Sequence, residues 1–294
     1  RLFMNNTQGG FYEVTQEAGV LSYETGVLSS SSVFFDYDED GDLDLYVGNY
    51  LKMVPKQSGD VDLVNARKHF YENTGLNGNG VPVFVDRTDE MGLGWTGGKS
   101  EWTLGLATGD YDNDGDPDLY VANDYGGYDP GLLIRDGDDA LFRNNGPGVP
   151  FTNVMEGVGW RENGYSMGVD FGDFDNDGDL DVFLANFWED SLLRNRGDGT
   201  FENVAAELGI IENLNGWGAS FRDYDNDGDL DILNVNGWIQ NTWGQVECEG
   251  NAVWENRGPD GFVNRVEESG IQDFGDGRGA GFGDVNRDGW VDMV

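Results

Sequence analysis

DFDNDGDLDVFLAN, residues 173–186, places five acids and one glycine in nine positions and then runs without a break into an apolar strand-like segment. Four further nonapeptides align with its first nine residues: DYDEDGDLD from Asp36, DYDNDGDPD from Asp110, DYDNDGDLD from Asp223 and DVNRDGWVD from Asp284. Together the five hold 24 of the 56 acidic residues, a density of like charge that is costly unless cations neutralise it. Positions 1, 3 and 5 carry carboxylates, with Asn286 as the single amide, and position 9 is always Asp. Position 6 is always glycine (Gly41, Gly115, Gly178, Gly228, Gly289), which permits a sharp turn. Alternating oxygen donors, a turn glycine and a late carboxylate are how a hard, oxygen-seeking cation is wrapped. The absence of neighbouring Cys or His argues against zinc or copper. A helix–loop–helix calcium hand would need Glu at position 12, where this chain has Val47, Val121, Leu184 and Asn234. A lone acidic turn of this kind could be a solvated loop, but five copies with a constant glycine cannot easily be one.

The expected ligands are Asp36, Asp38, Asp40, Asp42 and Asp44; Asp110, Asp112, Asp114, Asp116 and Asp118; Asp173, Asp175, Asp177, Asp179 and Asp181; Asp223, Asp225, Asp227, Asp229 and Asp231; and Asp284, Asn286, Asp288, Trp290 and Asp292. Position 7 is expected to offer only its backbone carbonyl, which accommodates Trp290. The fifth site, with an amide at position 3, is expected to be the weakest.

A second motif alternates with the first: LFMNN from Leu2, FYENTG from Phe70, LFRNNG from Leu141, LLRNRG from Leu192 and VWENRG from Val253. Each contains an Asn (Asn5, Asn73, Asn144, Asn195, Asn256) and leads through a glycine-rich turn to another short strand, such as FENV from Phe201. A further glycine (Gly105, Gly168, Gly218, Gly279) sits five residues ahead of the acidic loop, with Ser31 in its place in the first copy. Each period therefore holds four short strands. The first aspartates of successive loops are 74, 63, 50 and 61 residues apart, and periods of this size with four strands predict the blades of an all-β propeller. The uninterrupted apolar runs Leu45–Val47 and Val182–Ala185 fit strands buried on both faces between neighbouring blades.

Composition narrows the partners. A formal net charge of −39 over 294 residues disfavours nucleic acid and anionic lipid. There is one cysteine, Cys248, hence no internal disulfide framework, and one histidine, His69, for which a surface position is the default. No run of eighteen apolar residues is present to span a membrane.

These motifs resemble the FG-GAP/VCBS repeat proteins, whose blades carry a D-x-D-x-D-G-x-x-D calcium loop. The pairing of RNRGDGTF from Arg194 with the acidic loop and its following strand resembles the cartilage acidic protein (ASPIC/UnbV-associated) branch. The resemblance covers nearly the whole chain. It implies an integrin-α-like β-propeller, about five calcium ions in the loops, and a secreted or cell-surface setting, with the periplasm as an option. It also supplies the strand order: the acidic loop joins innermost strand A to strand B, and the two strands of the second motif are C and D. Residues 1–294 then read as one propeller domain: a C–D half-blade at 1–30, four full blades, and an A–B half-blade at 279–294. The half-blades either complete a five-bladed ring or belong to a larger one. The larger ring is favoured because Val294 stops short of the Asn that ends the other B strands. Family rings usually have about seven blades, and no ASPIC/UnbV-type C-terminal segment is visible.

On that topology the acidic loops and C–D turns share one face, and the B–C and D–A connections share the other. Spacing varies most in the B–C connections, near 50–69, 124–140, 187–191 and 237–252. Binding residues concentrate on loops held by a rigid scaffold. Tyr125, Tyr128, Trp188, Trp238 and Trp243 are therefore the candidate ligand-binding residues, with Trp95, Trp102, Trp160 and Trp217 near the D–A connections. The rival is that these rings wedge between blades, a role expected most for Trp102 and Trp217. Arg196-Gly197-Asp198 reads as a hairpin turn, not an adhesion tripeptide, because it is one version of the recurring C–D turn; Asn5-Asn6-Thr7 matches a glycosylation sequon by chance.

The leading expectation is a non-enzymatic extracellular module for adhesion, recognition or structure, with a protein or glycan partner and self-assembly as a further option. A lectin-like propeller is the alternative. A polysaccharide lyase ranks lower, because no base converging with a charge-stabilising cation can be picked out.

Overall fold

The computed structural model describes residues 1–20, 24–94, 101–124, 138–160, 165–211, 214–237, 250–271 and 277–294. The architecture is all-β, built from antiparallel sheets laid down in chain order. The first is a two-stranded pair, β1 (Phe3–Asn5) and β2 (Phe11–Glu13). The next contains β3 (Val27–Phe35), β4 (Asp44–Pro55), β5 (Val61–Val64), β6 (His69–Leu76) and β7 (Pro82–Asp86), in the order β3-β4-β6-β7, with β5 pairing on β4. Three four-stranded meanders follow. The first is β8 (Trp102–Gly109), β9 (Asp118–Asp124), β10 (Ala140–Arg143) and β11 (Thr152–Asn153). The second is β12 (Ser166–Gly172), β13 (Asp181–Trp188), β14 (Ser191–Asn195) and β15 (Phe201–Asn203). The third is β16 (Leu214–Arg222), β17 (Asp231–Asn236), β18 (Ala252–Asn256) and β19 (Phe262–Asn264), joined to the second where the end of β13 pairs with the start of β16, Phe187↔Asn215 and Trp188↔Leu214. A last pair, β20 (Phe282–Gly283) and β21 (Asp292–Met293), ends the chain.

The first strand of each four-stranded set pairs with the second across an acidic nonapeptide. The second strands are the apolar runs, and in β9, β13 and β17 almost every residue is buried. The reason is that each sheet is covered on both faces by its neighbours. Phe35, Tyr46 and Phe70 of the second sheet pack on Leu119, Val121 and Phe142 of the third. Tyr120, Ala122 and Leu141 meet Val182, Leu184 and Leu193, and Phe183, Ala185 and Leu192 meet Phe221, Ile232 and Trp254. Burial on both faces removes the polar–apolar alternation of a half-exposed strand.

The recurring glycines of the first strands mark where successive sheets come nearest. A Cβ on Gly168 would lie 2.8 Å from the Ala219 backbone nitrogen and 3.0 Å from the Gly218 Cα, and one on Gly105 would lie 3.1 Å from the Met167 carbonyl oxygen. No larger residue fits there without moving backbone.

Two expectations are corrected. Residues 50–69 are not simply a loop: β4 continues to Pro55 and turns back as β5, a hairpin with register Lys52↔Val64 to Pro55↔Val61. His69 is not a surface residue. Its ring stacks on Tyr71 (5.6 Å), its Nδ1 lies 3.3 Å from Asp86 Oδ2, and its side chain is mostly covered. Its neighbour Lys68 is fully buried and donates to Glu101 Oε2 at 3.0 Å across the boundary between two sheets, with Glu101 itself only 1% exposed. Among the described residues, no helix is long and apolar enough to cross a membrane.

Candidate metal centre

The five nonapeptides fold alike because their own side chains hold their backbones. The position-1 carboxylate accepts two amides, as Asp177 and Gly178 donate to Asp173 Oδ1 and Oδ2 at 3.0 Å each. The position-5 carboxylate accepts the position-7 amide, as Asp179 donates to Asp177 Oδ1 at 2.9 Å. The position-9 carboxylate accepts the position-2 amide on one oxygen and the amide of the second motif's Asn on the other: Phe174 and Asn195 donate to Asp181 at 3.0 and 2.8 Å. The same set recurs around Asp36 and Asp44, Asp110 and Asp118, and Asp223 and Asp231. In the fifth loop Asp288 and Gly289 donate to Asp284, and Val285 donates to Asp292. Position 6 has φ between 90° and 101° in every loop, which glycine adopts at no steric cost.

Folding the loops this way gathers carboxylates. One oxygen from each of Asp110, Asp112 and Asp118 lies within 4.8 Å of the others, and the same holds for Asp173, Asp175 and Asp181 and for Asp223, Asp225 and Asp231. In the first loop the group is Asp36, Asp38 and Asp40. Each of these four clusters could hold a metal ion. Among the described residues the fifth loop forms no such three-acid group; Asn286 occupies its third position, where its Nδ2 donates to Asp288 Oδ2 at 2.9 Å. At position 7, Asp179 Oδ1 and Asp229 Oδ1 are engaged sideways, by Asn113 Nδ2 (2.7 Å) and Asn176 Nδ2 (2.8 Å) of the preceding loops.

The electrostatics are those of anions pressed together and desolvated. Burial pushes Asp44, Asp181 and Asp231 up to about 7 and Asp118 up to about 8, from an ordinary value of 3.8. The two amides each of them accepts pull the other way, and the acids at positions 3 and 5 add to the rise. Burial also raises Asp38, Asp112, Asp175 and Asp225 at position 3, with the adjacent position-5 acid next in size.

The donor set fits a calcium ion. Every side-chain donor is a carboxylate oxygen, and atoms sharing an ion at about 2.3–2.6 Å can be at most about twice that distance apart, which the clusters satisfy. Asp112 Oδ1 and Asp225 Oδ1 are buried and, among the described residues, accept no hydrogen bond, leaving lone pairs for a cation.

Two further residue types that the sequence pattern did not explain hold the loops to one another. Position 4 is left-handed in all five loops, with φ of 57° at Glu39, Asn113 and Asn226, 58° at Asn176 and 65° at Arg287. Asn tolerates this region better than most residues, and its amide then reaches the next loop: besides the two bonds above, Asn226 donates to the Gly289 carbonyl at 3.2 Å. The Asn of the second motif links the other way. Asn144 Nδ2 donates to the carbonyls of Tyr37 and Pro117, Asn195 to Tyr111 and Leu180, and Asn256 to Phe174 and Leu230. One acceptor of each pair lies in its own sheet's loop and the other in the preceding sheet's. The recurrence of both residues was visible in the sequence; their partners in the neighbouring loops, 53 to 107 positions away, were not.

Of the candidate ligand-binding aromatics, Tyr125, Tyr128, Trp238 and Trp243 lie outside the described residues, as does Trp95. Trp188 is 53% exposed and has a φ of 88°, unusual for a bulky residue. Its ring lies 4.6 Å from Phe187 and 5.6 Å from Tyr165, an aromatic group at the end of β13 away from the acidic loop. Trp102 is buried against Tyr50 (5.2 Å), as wedge packing requires. Trp160 packs half-buried on the core. Trp217 is half-buried, donates to the Gly237 carbonyl at 3.0 Å and carries the Arg278 guanidinium over its ring at 4.2 Å. The Arg196-Gly197-Asp198 turn joins β14 to β15, with the Arg196 amide donating to Thr200.

The family described as FG-GAP-like repeat matches residues 132–184 and 173–233. These matches support an FG-GAP repeat, β-propeller-type family. No curated protein matches the chain. The solved structures that resemble it remotely include three of different kinds. One is a lectin of Agrocybe aegerita, described for specific recognition of non-reducing terminal N-acetylglucosamine, 20% identical at a TM-score of 0.46 over 91% of this chain and 61% of that one. Another is the rhamnogalacturonan lyase YesW, 10% identical at a TM-score of 0.39 over 90% of this chain and 43% of that one. The third is the V. cholerae biofilm matrix protein Bap1, 13% identical at a TM-score of 0.35 over 82% of this chain and 40% of that one. The chain thus spans less than two thirds of the length of each.

Proposed function

We propose that the chain is a non-enzymatic, extracellular recognition or structural module whose β-propeller blades are stiffened by calcium, one ion in each acidic loop and about five in all. The observation that carries this is the buried, unpartnered Oδ1 of Asp112 and of Asp225 within groups of carboxylates that recur in the same place on four successive sheets. Positions 1, 3, 5 and 9 would supply side-chain oxygens and position 7 its carbonyl, with Asn286 replacing one carboxylate in the fifth loop. Bound calcium would supply positive charge that offsets the burial and, after it, the mutual repulsion that raise these acids. The protein's own contribution is the amide scaffold that fixes the carboxylates and, through the Asn bridges, transmits that stiffness between sheets. Extracellular modules bind calcium at about 0.1–1 mM, an affinity at which these loops would fill where calcium is abundant. Calorimetric titration of chelator-stripped protein tests the reading. Four or five equivalents bound below about 1 mM are expected; two or fewer overturn it.

A glycan-binding reading rests on the exposed Trp188 ring beside Phe187 and Tyr165, since such a face can stack on a sugar. Trp188→Ala is expected to abolish capture on a glycan array with an unchanged melting temperature. Lowered melting with capture intact would assign the ring to packing.

A further inference from the structure

Immediately before the recurring Asn of the second motif in each of the four complete sheets stands a charged residue, acidic in the outer two and basic in the middle two: Glu72, Arg143, Arg194 and Glu255. Each stands on the third strand, near enough to the third position of its own sheet's acidic loop for its charge to be felt there. Arg194 Nε lies 3.0 Å from Asp175 Oδ2, with its guanidinium 5.4 Å from the Phe174 ring centroid. Arg143 is held by Asn145 Oδ1 (3.2 and 3.1 Å) and lines a cavity of about 470 Å³ together with Asp112. Glu72 and Glu255 stand where these arginines do, and their charge is felt at Asp38 and Asp225 as repulsion, where that of Arg143 and Arg194 is felt at Asp112 and Asp175 as attraction. Each Glu is in turn engaged by arginine, Glu72 by Arg87 (2.6 Å) and Glu255 by Arg265 and Arg257 (2.5 and 2.7 Å), so the guanidinium in these sheets is held by a carboxylate other than the loop's.

We propose that this residue sets two tiers of cation affinity, the loops beginning at Asp110 and Asp173 being weak because a guanidinium stands beside their third ligand, and the loops beginning at Asp36 and Asp223 being tight because there a glutamate holds the nearest guanidinium instead. The inference rests on the calcium reading above. A guanidinium about 6 Å from a divalent ion lowers its affinity about tenfold even at the dielectric constant of water. At Asp175 the arginine also competes for a ligand oxygen, which the loop can release only by breaking the ion pair. Graded occupancy follows: as calcium rises, the outer two of the four complete sheets load first and the middle two last.

The experiment is calorimetric titration of the stripped, full chain with calcium chloride at low salt, comparing wild type with Arg194→Gln, Arg143→Gln, Glu255→Gln and Lys56→Gln. Lys56 follows the far end of β4, about 35 Å of extended strand from the acidic loop, so its replacement makes the same change in net charge at a distance. Two affinity classes are expected in wild type. Arg194→Gln and Arg143→Gln should each tighten one weak equivalent about tenfold, Glu255→Gln should weaken one tight equivalent, and Lys56→Gln should do neither. Isotherms of the two arginine variants that superpose on wild type, or that Lys56→Gln reproduces, overturn the proposal while leaving the calcium reading intact. Absence of calcium uptake in every variant overturns the calcium reading itself. Circular dichroism identifies a variant that fails to fold, and the second arginine then decides.

Discussion

Replacing the recurring Asn of the second motif by Ala, one copy at a time, separates a local turn role from a role between sheets. Asn195→Ala removes the donors to the carbonyls of Tyr111, in the preceding sheet's loop at 2.7 Å, and of Leu180, in its own loop at 3.1 Å, and the acceptor of the Gly197 amide at 3.1 Å. Gly197 sits at an exposed turn, where water replaces the lost acceptor. The two carbonyls face a buried side chain, and each unmet acceptor costs about 1–2 kcal/mol, so the substitution should cost about 2–4 kcal/mol. Asn144→Ala and Asn256→Ala remove equivalent sets and should cost the same. Among the described residues Asn73 Nδ2 donates only to Leu43 of its own loop, at 3.2 Å, and its replacement should cost about 1 kcal/mol. Asn5 is exposed and accepts a single amide from Thr7 at 2.7 Å; its replacement should cost about 0.5 kcal/mol or less. At about 2–4 °C per kcal/mol for a chain of this size, thermal melts in saturating calcium should fall by roughly 5–12 °C for Asn144, Asn195 and Asn256 and by about 1 °C for Asn5. Equal losses at all five positions would refute the reasoning, because they would show that the side chain serves only its own hairpin.

Chelation should lower the melting temperature by well over 10 °C at low salt, since an ion bound only to the native state stabilises by mass action; Asp177→Ala should remove one calcium equivalent, and melting that ignores the chelator would exclude structural cation sites. In the metal-free protein, carboxyls raised to about 7 or 8 from 3.8 bind protons in the native state that the unfolded chain has lost. Their contribution is fully present below about pH 4 and is lost as pH rises through 7 to 8, so metal-free melting should fall between pH 5 and pH 8 while calcium affinity rises over the same interval; metal-free melting that is flat or rises would contradict this. Gly168→Val should cost more than about 3 kcal/mol, because its first side-chain carbon already meets the backbone of Trp217, Gly218 and Ala219 at 2.8–3.0 Å; expression at wild-type stability would show that the sheets can separate there.

What is local and repeated could be read from the residues alone. A nonapeptide that caps its own amides with its own carboxylates folds from its residue types and spacing, and the apolar run after it declares a strand covered on both sides, as β9, β13 and β17 are. The recurring glycines announced that something must come close. Only the tertiary structure decided what came close and to what effect. That Gly168 meets the backbone of the next sheet's first strand, that Asn113 reaches Asp179, and that Asn144 reaches Tyr37 are matters of which sheets become neighbours. A periodic sequence presents every copy of a residue identically, so Asn5 and Asn195 read alike until the fold gives one of them two carbonyls to hold. The same holds for charge. His69 reads as a surface residue until the fold covers it, and the sequence does not say that Lys68 is buried or that Arg194 meets Asp175, because desolvation and ion pairing depend on what packs against a side chain and not on its neighbours along the chain.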